Sequence, residues 1–191
     1  MTTYVALLRG VNIAGNRPVD MKALKACCEG LGFTRVATYL RSGNVLFDAG
    51  RASPAAVAGR LADAIEADFA FRAPVVLRTP ARLAEIVAGN PFTEAAAADP
   101  TRVAVMFLDA APDAGAAARL RAAHGGPEEF ALSGADLYLH YPNGVGRSKL
   151  TSDLIDRRLG LHGTGRNWNT VLKLLALAGE HGGAPNRGKS R

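Results

Sequence analysis

The segment RVATYLRSGNVLFD, residues 35 to 48, decides the fold class of this chain. Its two ends are rich in β-branched and aromatic residues, Val36, Thr38 and Tyr39 on one side and Val45 and Phe47 on the other. Such side chains favour pleated backbone, and Gly43 with Asn44 between them can take the positive φ angles of a tight turn. The segment therefore reads as two antiparallel strands joined at Gly43 and Asn44. A lone hairpin is marginal in water, so its neighbours must supply further strands or helices. Upstream, TYVALLR at 3 to 9 reads as a strand, and Asp20 offers an N-cap oxygen to a helix that runs to about Leu31 and closes at the glycines of EGLGF. Downstream, Ser53 and Pro54 form a cap followed by a first-turn proline, and Val57, Leu61, Ile65 and Phe69 line one helical face. APVVLRT at 73 to 79 completes a β-α-β-β-α-β series, the ferredoxin-like unit.

The remainder repeats this pattern less clearly. Thr79 and Pro80 start a short helix ending near GNPF, residues 89 to 92. A strand RVAVMFL at 102 to 108 leads to an Ala-rich helix at about 113 to 123, then to a hairpin EFALSGADLYLHY turning at Ser133 and Gly134. A helix from about Ser148 to Leu159 stops at Gly160, and a last one spans about Trp168 to Ala178 with Asn167 as its N-cap. The expected class is α+β: two ferredoxin-like subdomains with antiparallel sheets, the second degenerate and carrying an extra C-terminal helix. Residues 1–90 form the first and 91–178 the second. Residues 179–191, GEHGGAPNRGKSR, lack apolar periodicity and are expected to be a disordered basic tail.

Composition narrows the function. With 191 residues, 48% of them hydrophobic and 21% charged, the chain can bury a core without disulfides or metals. No apolar run approaches the ~20 residues that span a bilayer, and the N-terminus enters a strand directly, so the expected location is the cytoplasm, with no membrane partner. Cys27 and Cys28 lie in a helical pattern with Met21, Leu24 and Leu31 and read as packing residues. The net charge of +6 is uneven: residues 1–140 hold 14 basic and 14 acidic residues, and residues 141–191 hold 9 and 3. His124, His140, His162 and His181 lack metal-ligand spacing, and no cofactor motif is present, so neither metal nor cofactor is expected.

Two polar constellations remain. The first is LLRGVNIAGNRPVD at 7 to 20, where Gly10 and Gly15 have the glycine spacing of a phosphate-binding loop. The lysine and hydroxyl that loop requires are replaced by Asn16 and Arg17, which argues against a nucleotide triphosphate site. In a ferredoxin-like unit the end of the first strand and the hairpin turn share one sheet edge. Arg9, Asn12 and Asn16 are thus expected beside Arg41, Ser42 and Asn44, a donor-rich edge suited to an anionic small molecule. The second is GVGRSKLTSDLIDRRLG with TGRNWNT, where Arg147, Ser148 and Lys149 open one helix and Arg166 and Asn167 open the next. Helix starts favour anions. A nucleic-acid partner ranks below an anionic small molecule, because aromatics are 6% of the chain and only Tyr4, Tyr39 and Phe47 mark the strands. A structural or protein-interaction domain without catalysis is a further alternative; no catalytic arrangement is evident, and both enzymatic activity and oligomeric state are open.

Taken together, LLRGVNIAGNRPVDMKAL, LGFTRVATYLRSGNVLF, NPF, GRSKLTSDLIDRRLG and TGRNWNTVLKL resemble, in order and spacing, the bacterial domain of unknown function 1697 family. The resemblance spans about residues 3 to 178 and implies a cytoplasmic protein of two ferredoxin-like subdomains. It implies no catalytic residue. Arg9, Gly10, Asn12, Gly15, Ser42, Gly43, Asn44, Ser148, Lys149, Arg166, Asn167 and Trp168 fall on the family's motifs, whereas Arg41 stands where a neutral polar residue is more usual.

Overall fold

The computed structural model describes residues 1 to 13 and 16 to 183. Gly15 and the final residues from 184 onward, which belong to two of the segments discussed above, lie outside the described residues.

The first unit consists of β1 (Thr2–Leu8), α1 (Met21–Gly30), β2 (Thr34–Tyr39), β3 (Asn44–Ala49), α2 (Pro54–Phe69) and β4 (Val75–Arg78). Its antiparallel sheet has the order β2-β3-β1-β4. The local signals act as their chemistry dictates. Asp20 accepts from the Lys22 and Ala23 N–H groups at 3.0 and 2.9 Å, and Ser53 accepts from Ala56 ahead of Pro54. The hairpin differs from expectation. Its turn is Leu40 to Gly43, with positive φ at Leu40 (57°) and Gly43 (77°), while Asn44 is the first residue of β3 and fully buried. Gly43 is required there, since a Cβ would come within 2.6 Å of Val11 and 2.8 Å of Leu8.

Two helices, α3 (Pro80–Ala88) and α4 (Thr93–Ala98), lead to the second unit: β5 (Val103–Leu108), α5 (Ala116–Ala123), β6 (Glu129–Ser133), β7 (Asp136–His140), α6 (Ser152–Leu159) and β8 (Gly163–Asn167). Its sheet order, β6-β7-β5-β8, matches the first strand for strand. The second unit thus lacks nothing of the β-α-β-β-α-β series, because TGRN is its fourth strand and pairs with β5. Nor does α6 begin at Ser148. A 3-10 turn ends at Arg147, and Thr151 caps the helix by accepting from Leu154. The last helix, α7 (Trp168–Gly183), starts where Asn167 accepts from the Thr170 N–H at 2.9 Å, and it continues past Ala178 into what reads as tail.

Three apolar clusters explain the long hydrophobic runs. One fills the space between the first sheet and α1 and α2, around Leu24, Phe47, Leu61 and Ile65. Another lies between the second sheet and α5 and α6, around Met106, Leu120 and Ile155. The third joins the units: Val5, Leu7, Leu46 and Val76 meet Val105, Phe107 and Tyr138, with Leu83 and Ile86 of α3 and Trp168, Val171 and Leu174 of α7. Both faces of β3 and β5 are covered, so every residue of these strands is buried. Covered strands read as continuous apolar runs rather than alternating ones.

Candidate functional site

The units are duplicated down to their register, and the duplication exposes the site. Arg78 on β4 lies opposite Val5, and Arg166 on β8 lies opposite Val105. Asn44, which opens β3, lies opposite Leu7, and Asp136, which opens β7, lies opposite Phe107. Each arginine reaches into the other unit. Arg78 donates to the Leu108 and Ala135 carbonyls at 3.0 and 2.9 Å and to the Asp136 carboxylate at 2.8 and 3.0 Å. Arg82 holds the second oxygen of Asp136 at 2.7 Å. Arg166 makes the equivalent contacts in reverse, donating to the Leu8 and Ser42 carbonyls at 2.9 Å each and to Asn44 Oδ1 at 2.6 Å. Its remaining donors go to the Thr164 hydroxyl at 2.7 Å and the Gly165 carbonyl at 2.8 Å. All five guanidinium donors are used, and every acceptor is neutral.

The two sites differ in one decisive respect. Where Asp136 gives Arg78 a counter-charge, Asn44 gives Arg166 only a carbonyl oxygen. Arg166 is 8% exposed, and burial pulls its pKa down to about 10. A cation without a carboxylate is thus enclosed between the units.

Beside it lies a cleft of about 560 Å³. The first unit contributes Leu8 through Val11, Ile13 and Ser42, and the second contributes Ala104, Met106, Leu139, Tyr141, Val145, Ser152, Asp153 and residues 163 to 167. Gly163, Gly165 and Asn167 sit opposite Leu108, Met106 and Ala104, and of these it is Gly165 that leaves space open. A Cβ at Gly165 would meet nothing within 4 Å, whereas one at Gly163 would lie 2.6 Å from Met106. The lining is mainly apolar, and Ile13 and Val145 remain 62% and 53% exposed.

The residues expected to bind an anion fall into distinct places. Asn12 is next to the hairpin turn, as the topology requires. Its amide donates to Val19 and Arg41 carbonyls at 3.0 and 2.7 Å, and its Oδ1 accepts from the Val19 N–H, so it holds the loop shut at a φ of 54°. Asn16 is exposed and donates its backbone N–H to Ile13. Arg9 lines the cleft but is paired with the Asp156 carboxylate and donates to the Gly163 carbonyl, joining β1 to the second unit. Arg41 is exposed. Ser42 lines the cleft, and its hydroxyl accepts from Asn44 at 3.1 Å. Arg166 and Asn167 of the second constellation therefore join Arg9 and Ser42 of the first. Arg147 and Lys149 instead border another cavity, and the Ser148 hydroxyl accepts from the Leu150 N–H at 2.9 Å. Asp156, Thr164, Arg78 and Asp136 escape a linear reading; the one clue in the sequence is the equivalent position of VVLR and TGRN at the ends of two parallel series.

Comparison with known proteins agrees with this fold. No functionally curated protein matches the chain. A solved structure described as the conserved bacterial protein SP0830 from Streptococcus pneumoniae is similar in fold, with a TM-score of 0.72 at 20% identity over 93% of this chain and 98% of that one. A family described as "Protein of unknown function (DUF1697)" matches residues 1–138, more than half of the chain, and the protein belongs to that family.

Proposed function

We propose that the cleft between the units binds a small molecule with an apolar body and an anionic end group. One observation carries this reading: Asn44 stands where the duplicated register puts Asp136, leaving the buried charge of Arg166 beside an apolar cleft without a carboxylate of its own. An anion in the cleft acts on Arg166 through space, because the guanidinium donors are already taken, and such an attraction is strong where water is excluded. Leu8, Val11, Met106 and Leu139 take the apolar body. Asp153, the acidic residue of the lining, is exposed at the start of α6, where water and the helix N-terminus screen it. The alternative, a nucleic acid stacked on an open sheet, would need several exposed strand aromatics, whereas Tyr4 and Phe47 are buried at 5% and 0% exposure and Tyr39 is half-buried.

The test is thermal shift with medium-chain carboxylates and alkyl phosphates against alcohols of the same length. The acids should raise the melting temperature, and a ligand at a hundred times its Kd stabilises by about 2.7 kcal/mol. Gly165→Val fills the open space on an extended strand and should abolish the shift without lowering the melting temperature of the free protein. Asn44→Asp restores the missing carboxylate and should weaken acid binding about tenfold, the equivalent of about 1.4 kcal/mol. Equal stabilisation by the alcohols, or none by any acid, would overturn the reading.

A further inference from the structure

A second cavity of about 560 Å³ lies at the end of α5, bordered by His124, Glu128, Asn143, Arg147 and Lys149. The His124 and Glu128 side chains are 4% and 7% exposed, with Nε2 and Oε2 2.9 Å apart. Their alignment is poor for hydrogen bonding, and both atoms stay without a hydrogen-bond partner although they are buried. The pair is held close by the absence of a side chain at Gly126, where a Cβ would lie 2.2 Å from the carboxylate and 2.7 Å from the imidazole. The Ser148 hydroxyl is the main cause holding the Glu128 carboxyl below its usual range, and His124 adds to it. Arg147 and Lys149 are exposed and border the same cavity.

We infer that this cavity is a separate binding site for the phosphate group of a small molecule. Glu128 faces Nε2 of His124, which leaves Nδ1 to meet an oxygen of the ligand. Arg147 supplies a planar fork for two further oxygens, and Lys149 a mobile ammonium. The Asn143 amide can donate alongside them. The charge of Glu128 does not exclude an anion, since His124 Nε2 already faces its carboxylate at 2.9 Å. This site shares no lining residue with the cleft between the units and does not depend on it.

Inorganic phosphate is the probe, followed through the imidazole Cε1–H resonances of the full chain at constant ionic strength. The chain has four histidines, and His124→Gln identifies the resonance of interest. Phosphate should move that resonance saturably, and chloride should not. The double variant Arg147→Ala, Lys149→Ala should bind at least about tenfold more weakly, with an unchanged melting temperature because both side chains are exposed. Gly165→Val should bind phosphate as the wild type does, which separates this site from the cleft. The inference is overturned if phosphate leaves the His124 resonance unmoved, if the double variant responds like the wild type, or if only single-stranded oligonucleotide, and not phosphate, shifts it.

Discussion

Arg166 and Arg78 occupy the same register of two copies of one unit, yet only Arg78 has an ionic partner. Arg166 is held by carbonyls, a hydroxyl and an amide, so its removal would strand the buried Asn44 Oδ1 and take one donor each from the Ser42 carbonyl and from the Leu8 carbonyl, which keeps the Thr164 hydroxyl at 3.2 Å. Each buried acceptor left unsatisfied costs about 1–3 kcal/mol. Arg166→Lys should therefore lower stability by roughly 1–3 kcal/mol in denaturant unfolding, because an ammonium has three donors and cannot span the planar set that five N–H groups reach. A variant as stable as wild type would mean that water serves these carbonyls adequately. In the sequence, Arg166 is recognisable as part of a polar cluster, but not as a tie between units. Nothing within TGRN points 122 residues away to Asn44, and Asn44 has the composition of a turn residue although it is a buried strand residue. The caps at Asp20, Ser53, Thr79 and Asn167, in contrast, are legible because donor and acceptor lie within three residues of each other.

At the scale of elements, legibility followed apolar periodicity. Helices α1, α2 and α3 and strands β1, β3 and β5 bury regular apolar sets and are visible in the sequence. Strand β8 is not, since its buried positions are Gly163, Thr164 and Arg166, which pair well with β5 but carry no hydrophobic signal. The end of α7 is hidden for a related reason: its stabilising contacts are polar. Arg35 donates to the His181 carbonyl and, at 2.6 Å, to Asp48, whose other oxygen accepts from Thr3 at 2.7 Å and lies 3.6 Å from His181 Nε2. Burial, and then the charge of Arg35, hold the His181 pKa below its ordinary value. Burial opposes ionisation of Asp48, but the bonds from Arg35 and Thr3 outweigh it and hold that carboxyl low as well. For both groups the unfolded chain binds protons at a pH where the folded one does not, so stability rises with pH through the window. Acidification should thus destabilise the protein first below about pH 6.5, where unfolded histidine takes its proton, and again below about pH 3.9 for Asp48. His181→Gln should flatten the first step in melting temperature measured from pH 7.5 to 5.5, and an equal slope in the variant would place the loss elsewhere.

For the whole molecule, the decisive feature is the middle cluster, which belongs to neither unit alone. Val5, Leu7, Leu46 and Val76 cover one face of the first sheet only when α3, α7 and the second sheet are present. A fragment of residues 1–90 keeps α3 but loses the rest, and should expose a broad apolar face. It is expected to bind a hydrophobic dye and self-associate, while the full chain unfolds in one transition by circular dichroism and fluorescence. A soluble monomeric fragment with a sharp melt would show the first unit to be autonomous. No helix among the described residues is long and apolar enough to cross a membrane. The exchanged arginines also have a consequence for synthesis. Arg78 emerges from the ribosome before the Leu108 and Ala135 carbonyls it will bind, but the Leu8 and Ser42 carbonyls emerge long before Arg166, separated from it by 158 and 124 residues. During translation the end of β1 and the first hairpin turn must keep those carbonyls hydrated until nearly the whole chain is made, and only then can this end of the N-terminal sheet exchange water for guanidinium and close.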